Sequence, residues 1–330
     1  MKQIKVGTIG YGGAFNMGKH HINEMMLNKG FVPGAVCDVD AERVKVAEKD
    51  FPGIQTYTDV ATMLKKSDVE LLVIILPHNL HAKVALQCLK AGRHVVVEKP
   101  FAITVPECDE MISAAKKAGV MLSTYHNRHW DSNILTITKH LSKIGRPFRW
   151  ESFAGGYNEP REWWRSYKEM SGGIIYDWGA HFVEWMLQVM DGDMMEINGY
   201  QVKEVWKKFT NEDEMEAVVR FSNNAVASHT ASDIAMAGKD MIRITGTKGA
   251  IVATHGSVDV FTKDESGNRV KTSVVMEKAR NADYYKNVYE HLFQGKKLII
   301  TPEWARRVIQ VLDFAGISAR KGTAVKAKYR

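Results

Sequence analysis

The 330-residue chain has three cysteines, eight prolines and no apolar run long enough to cross a bilayer. Cys37, Cys88 and Cys108 show neither metal-ligand spacing nor a disulfide framework. They read as buried thiols, and with no signal peptide expected the reading is a cytoplasmic protein. No internal repeat and no low-complexity linker is seen. A net charge of +7 raises the question of nucleic acid, but the basic residues are dispersed. The one basic cluster, Arg320–Arg330 (RKGTAVKAKYR), reads as a solvated tail. His126 and His129 lack partners at ligand spacing, so no metal is expected. The length has room for two domains.

What is present is a run of alternating strands and helices in the first 125 residues. Gln3–Ile9 reads as a first strand, Gly10-Tyr11-Gly12-Gly13 as a turn, and Met17–Asn28 as an amphipathic helix. Strand, glycine turn, helix is the context a dinucleotide fingerprint needs. Glycine lets the backbone approach a pyrophosphate, whose charge meets helix N-terminal N–H groups. Phe15 stands where the third glycine of G-x-G-x-x-G would fall, and Gly18 follows, so the turn is read as lengthened. Ala14 and Phe15 are therefore placed in it. Phe31–Cys37 reads as the second strand and ends in Asp38, which suits the ribose diol of NAD and repels a 2′-phosphate. Arg43 and Lys45 lie on a helix that looks solvated, so NADP is the less favoured cofactor.

Leu71–Leu76 is continuously apolar, as a strand covered on both faces should be. Leu80–Ala91 reads as helix, His94–Glu98 as strand, Pro106–Ala118 as helix and Val120–Tyr125 as a sixth strand. The expected fold is a doubly wound parallel sheet over 1–125. Ligands of such sheets bind at the strands' carboxyl ends, where Leu76-Pro77-His78-Asn79, Glu98-Lys99 and Asn127 fall. A lysine ending a buried strand is poorly solvated, which suits it to handling protons or polarising a hydroxyl.

Residues 126–330 read differently. Phe148–Phe153, Ala217–Phe221, Ala225–Thr230 and Met241–Ile244 are strand-like, with glycine turns between later strands. The expectation is an α+β domain with an open-faced, mainly antiparallel sheet. Pro302–Ser318 is a strong helix that is expected to pack back towards the first domain. A stretch from Ser171 through Gly172-Gly173 opens another helix on which Asp177 and His181 lie four apart, on one face. A carboxylate beside an imidazole fixes its tautomer and raises its basicity, as a general base needs. Gly172, Gly173 and Gly179 are expected to let a ligand or another backbone come close.

Taken together, Ile9–Gly13, Pro77-His78-Asn79 with His81, Glu98-Lys99-Pro100, and Gly172-Gly173 through Asp177 and His181 resemble the Gfo/Idh/MocA oxidoreductases. Thr301-Pro302-Glu303 and Ser318-Ala319-Arg320 resemble that family's closing helix. The resemblance implies a Rossmann domain, an open-faced sheet domain, and NAD(P)-linked oxidation of a sugar or cyclitol hydroxyl or the reverse reduction. It implies Lys99, Asp177 and His181 as the catalytic set. Arg161, Trp163, Trp164 and Arg165 precede the helix, and with Trp130 and Tyr157 they are the substrate candidates: aromatic rings cover apolar sugar faces, and arginine bonds hydroxyls. A non-catalytic regulator of the same fold, binding dinucleotide or sugar, is the alternative. A bare sheet face predicts a homodimer or homotetramer.

Overall fold

The computed structural model describes residues 3–330. The chain divides into two units: Met1–His126 with Ala282–Arg306, and Asn127–Asn281 with Arg307–Arg330. The chain thus leaves the first unit near residue 126 and returns to it at 282, earlier than the 302–318 helix expected to do so.

The first stretch runs β1 (Ile4–Ile9), α1 (Met17–Met26), β2 (Phe31–Cys37), α2 (Ala41–Asp50), β3 (Gln55–Tyr57), α3 (Val60–Lys66), β4 (Leu71–Ile74), α4 (His78–Lys90), β5 (His94–Val97), α5 (Val105–Ala118) and β6 (Leu122–Thr124). The strands pair in the order β3-β2-β1-β4-β5-β6, and every pairing is parallel. Leu71 to Ile74 and Val95 to Val97 are fully buried, as central strands covered on both faces require. Local chemistry sets the helix starts. Asp40 caps α2 through the Glu42 N–H, and Asp59 caps α3 through the Thr62 N–H. Thr104 and Glu107 form a reciprocal capping box at α5, whose far end closes on Gly119 in the left-handed conformation.

In the second unit come α6 (Ser132–His140), β7 (Pro147–Gly155), α7 (Lys168–Ser171), α8 (Ile175–Val189), β8 (Met194–Val202), β9 (Glu214–Phe221), β10 (Val226–Ser232), β11 (Ile242–Gly246), β12 (Ala250–Ala253), β13 (Val258–Lys263) and β14 (Arg269–Val274). α9 (Asp283–Gln294) belongs to the first unit, packed on α1; α10 (Pro302–Lys321) divides between the units at Arg306, and β15 (Val325–Lys326) ends the chain. The nine strands order as β14-β13-β12-β11-β7-β10-β9-β8-β15, antiparallel except where β10 runs parallel to β7. α8 packs on β10, β7 and β9. It buries every residue from Gly179 to Leu187.

Two expectations are corrected here. The C-terminal basic cluster is not a solvated tail throughout. β15 pairs with β8, and the buried Gln310 clamps the chain by accepting from the Lys328 and Tyr329 N–H groups and donating to the Tyr329 carbonyl. The sheet face turned away from α8 is also less apolar than expected. Glu196 pairs there with Arg220, Arg149 with Glu151 and Lys271 with Asp259, among exposed Tyr200 and Val202.

Candidate active site

The glycine turn of the first unit is built by close approach. Gly10 has φ +102°, and a Cβ there would lie 1.9 Å from the Ile75 carbonyl oxygen, so no side chain fits. Gly18 makes room for the Tyr11 ring, which lies 2.5 Å from where its Cβ would be. Gly12 is the opposite case: a Cβ would meet nothing within 4 Å. Its backbone borders open space at the start of α1, a cradle that fits a dinucleotide pyrophosphate. Ala14 and Phe15 are exposed in the same turn. Asp38 closes β2, as expected, and its carboxylate accepts from the Tyr11 N–H at 2.6 Å and the Asp40 N–H at 2.9 Å. It therefore shapes the turn.

Arg43, set aside above as a phosphate partner, stands closer to the turn than its sequence suggests. Its helix was taken as solvated, yet its guanidinium lies 2.4–2.6 Å from where a Gly13 Cβ would be. A cation thus stands over the glycine turn. No pattern in the sequence gives its direction; its place in the first turn of α2, just after Asp38 and Asp40, was the available signal.

At the carboxyl end of β5 the polar groups are engaged within the unit. Glu98 accepts from the Lys99 N–H at 2.8 Å and bonds His21 Nε2 at 3.0 Å; His21 Nδ1 lies 2.6 Å from the Tyr285 hydroxyl of α9. Burial raises the Tyr285 pKa, so the phenol keeps its proton and donates it to Nδ1. Nε2–H then points at Glu98. Burial alone would raise the Glu98 pKa, but the hydrogen bond from His21 and the charge of the adjacent Lys99 outweigh it and hold the carboxyl low. His81 is wholly buried, with Nδ1 2.8 Å from the Pro100 carbonyl and Nε2 2.9 Å from the Leu76 carbonyl. Burial pulls its pKa down. These side chains brace the turns that carry Lys99 and Leu76-Pro77. His78 is buried, whereas Asn79 is exposed and Pro77 half-buried. Lys99 itself is half-buried.

In the second unit Asn127 and Arg128 open a short 3-10 turn (Asn127–Trp130). Trp130 is 7 % exposed and packs edge-on to His129. His129 Nδ1 lies 2.7 Å from the buried Glu184 carboxylate, a structural pair within the unit. Among the described residues no cluster suits a metal ion.

The start of α8 is braced from the β8–β9 connection. Glu212, with Lys168 as its ion-pair partner, accepts from the Ile174 N–H. Gly173 has φ +128°, and its Cβ would meet Glu212 Oε2 at 2.7 Å. A Cβ at Gly172 would meet the Tyr176 ring. The glycine pair therefore admits protein groups, not the ligand or foreign backbone expected. Beyond it, Asp177 and His181 stand one turn apart on α8. Asp177 is ion-paired with Arg165, whose guanidinium also lies over the Trp163 ring at 5.3 Å and the Trp164 ring at 5.0 Å. His181 is 6 % exposed, with Trp178 edge-on at 5.7 Å and Trp185 stacked at 6.5 Å. Arg161 and Tyr157 are exposed, and Tyr157 packs against Trp206. Of the substrate candidates, Trp163, Trp164 and Arg165 are thus gathered about Asp177. Trp178 was not foreseen.

A parallel dinucleotide fold joined in sequence to an open antiparallel sheet defines the class, and family comparisons agree. Residues 4–126 match the model of the oxidoreductase family with an NAD-binding Rossmann fold, and residues 141–252 match the C-terminal domain model of the same Gfo/Idh/MocA family. The chain belongs to that family. It is 31 % identical over 194 residues to scyllo-inositol 2-dehydrogenase (NADP(+)) IolW of Bacillus subtilis, covering 56 % of this chain and 51 % of that one. The match therefore spans about half the length of that relative. It is 26 % identical over 273 residues to myo-inositol 2-dehydrogenase of Thermotoga maritima, covering 81 % and 80 %. Among solved structures, levoglucosan dehydrogenase in complex with NADH superposes with a TM-score of 0.84 over the whole of both chains at 20 % identity, a likeness of fold.

Proposed function

We propose that this chain is an NAD(P)-dependent dehydrogenase or reductase acting on a secondary hydroxyl or ketone of a sugar, sugar derivative or cyclitol. The observation that carries the reading is the pairing of two features in one chain. A dinucleotide turn open at Gly12 accompanies Lys99 at a strand's carboxyl end, and the second unit presents Asp177 and His181 one helical turn apart. His181 takes the hydroxyl proton, with Asp177 tuning it. Lys99 is the second polar group suited to the chemistry, able to stabilise developing negative charge. A bound nicotinamide would supply the hydride acceptor that turns the carbinol into a ketone. The inositol dehydrogenases among its relatives support the substrate class. The test is a nicotinamide-reduction screen of purified protein against inositols, sugars, sugar acids and glycosides. Binding of dinucleotide and sugar with no reduction of the nicotinamide would favour the regulator instead.

For the cofactor, Asp38 supports NAD. Arg43 supports a second reading, in which a 2′-phosphate is met by a guanidinium over the glycine turn. Calorimetry with 2′,5′-ADP and 5′-ADP separates the two: tighter 2′,5′-ADP that weakens selectively in Arg43→Ala selects NADP. We also propose a homodimer or homotetramer through the outer face of the nine-stranded sheet, where Tyr200 is 61 % exposed. Light scattering at micromolar concentration checks this. A cytoplasmic location rests on three buried, unlinked thiols.

A further inference from the structure

Trp178 is 42 % exposed, on a helix whose next nine positions, Gly179 to Leu187, are all buried. The exposed part of the indole offers a large, rigid apolar surface with one polar N–H. Its surroundings fix the ring in advance. The Arg128 guanidinium lies over it, 5.1 Å from the centroid. Arg128 is held in turn by Asp131 at 2.7 Å, and Asp131 accepts from the Asn281 side-chain amide at 2.9 Å. The His181 ring stands edge-on at 5.7 Å. An indole backed by a chain of three residues and flanked by His181 loses little freedom when a ligand settles on it, which is what a preorganised binding surface requires.

Resting on the dehydrogenase reading above, we propose that Trp178 is the platform on which the apolar C–H face of a cyclic polyol lies, one of its hydroxyls reaching His181. The ligand class follows from the chemistry. A flat indole matches the C–H face of a six-membered ring. An open-chain polyol has no such face to present. Trp178 therefore selects cyclic over linear substrates, while Lys99, Asp177 and His181 carry the chemistry.

The experiment uses the full-length protein with NAD and NADP, probing myo-inositol, scyllo-inositol, D-glucose and the linear D-sorbitol. Two readouts are taken: indole fluorescence on adding each polyol, and nicotinamide reduction. In the wild type a cyclic polyol should quench fluorescence, and Trp178→Phe should remove most of the quench. Trp178→Ala should raise the KM for the cyclic polyol about 10- to 100-fold with kcat and cofactor affinity little changed, and Trp178→Phe should recover much of that loss. The melting temperature should be close to wild type in both variants. An unchanged KM in Trp178→Ala overturns the proposal, as does loss of oligomeric state without loss of polyol binding, or a wild type that binds none of the four. If a cyclic polyol binds through Trp178 but no nicotinamide is reduced, the platform stands and the dehydrogenase reading falls. If reduction proceeds indifferent to Trp178, the reverse holds.

Discussion

The carboxyl end of β5 and the first turns of α8 solve the same problem by different means. Around Glu98 and Lys99 the braces run to the backbone. Glu98 holds the Lys99 N–H, and His81 spans the carbonyls of Leu76 and Pro100. Around Asp177 and His181 they run between side chains, with Arg165 on Asp177 and on two tryptophans, and Arg128 on Trp178. Backbone bracing fixes a turn's shape and tolerates few changes. Side-chain bracing leaves the same helix able to be retuned by substituting a residue or two. In a fold that serves many substrates, the cofactor sits naturally on the first kind and specificity on the second.

Breaking the chemical groups should have the largest effect on either side. Lys99→Met and His181→Ala should each reduce kcat roughly 10²–10⁴-fold, with dinucleotide titration nearly unchanged in His181→Ala. Next comes the side-chain brace. Arg165→Met removes the partner of Asp177 and should lower kcat about 10- to 100-fold, the scale of a charge-assisted contact, leaving dinucleotide affinity alone. The glycine turn sharpens the comparison further. Gly12→Ala meets no protein atom within 4 Å. It should change stability by less than about 0.5 kcal/mol, yet weaken dinucleotide binding at least tenfold by calorimetry. Gly10→Ala, driven into the Ile75 carbonyl, should fail to fold.

The smallest effect expected is one of pH. His229 is buried under α8, stacked on Phe182, and its pKa is pushed down to about 3 by burial. In the unfolded chain it titrates at roughly 6.5. Below that pH the unfolded state binds a proton the folded state refuses, so stability is full above about 6.5 and falls as pH drops towards 3, by at most about 1.4 kcal/mol per unit. Asp233, raised to about 6 by burial and the nearby Asp213, acts in the opposite sense, losing its contribution as pH rises through 6. Urea titrations between pH 6 and 4 should show the two opposing slopes largely cancelling in the wild type, and in His229→Phe a stability that rises as pH falls.

The two regions also differ in how much of them can be read from sequence. Leu71–Ile74, the glycine turn and Asp38 follow from periodicity and local backbone needs, and they stand where those rules put them. β3 escaped location because three residues, Gln55–Tyr57, carry no period. Asp177 was read with its neighbour four residues on, but its ion-pair partner Arg165 comes from the segment before the helix. Trp178 reads as core inside an apolar helix until burial shows otherwise. The Lys328–Tyr329 clamp depends on Gln310, buried eighteen residues earlier in α10. What stayed hidden in each case is a long-range side-chain partner, which no local rule names.

The measurement that tests the central claim most directly is the rate of nicotinamide reduction by wild type, Asp177→Asn, His181→Ala and the double variant on one polyol. If Asp177 acts by tuning His181, the losses overlap, and the double variant is little slower than His181→Ala alone. If the two losses multiply in full, or if His181→Ala turns over at the wild-type rate, the Asp177–His181 assignment is contradicted and Lys99 becomes the base.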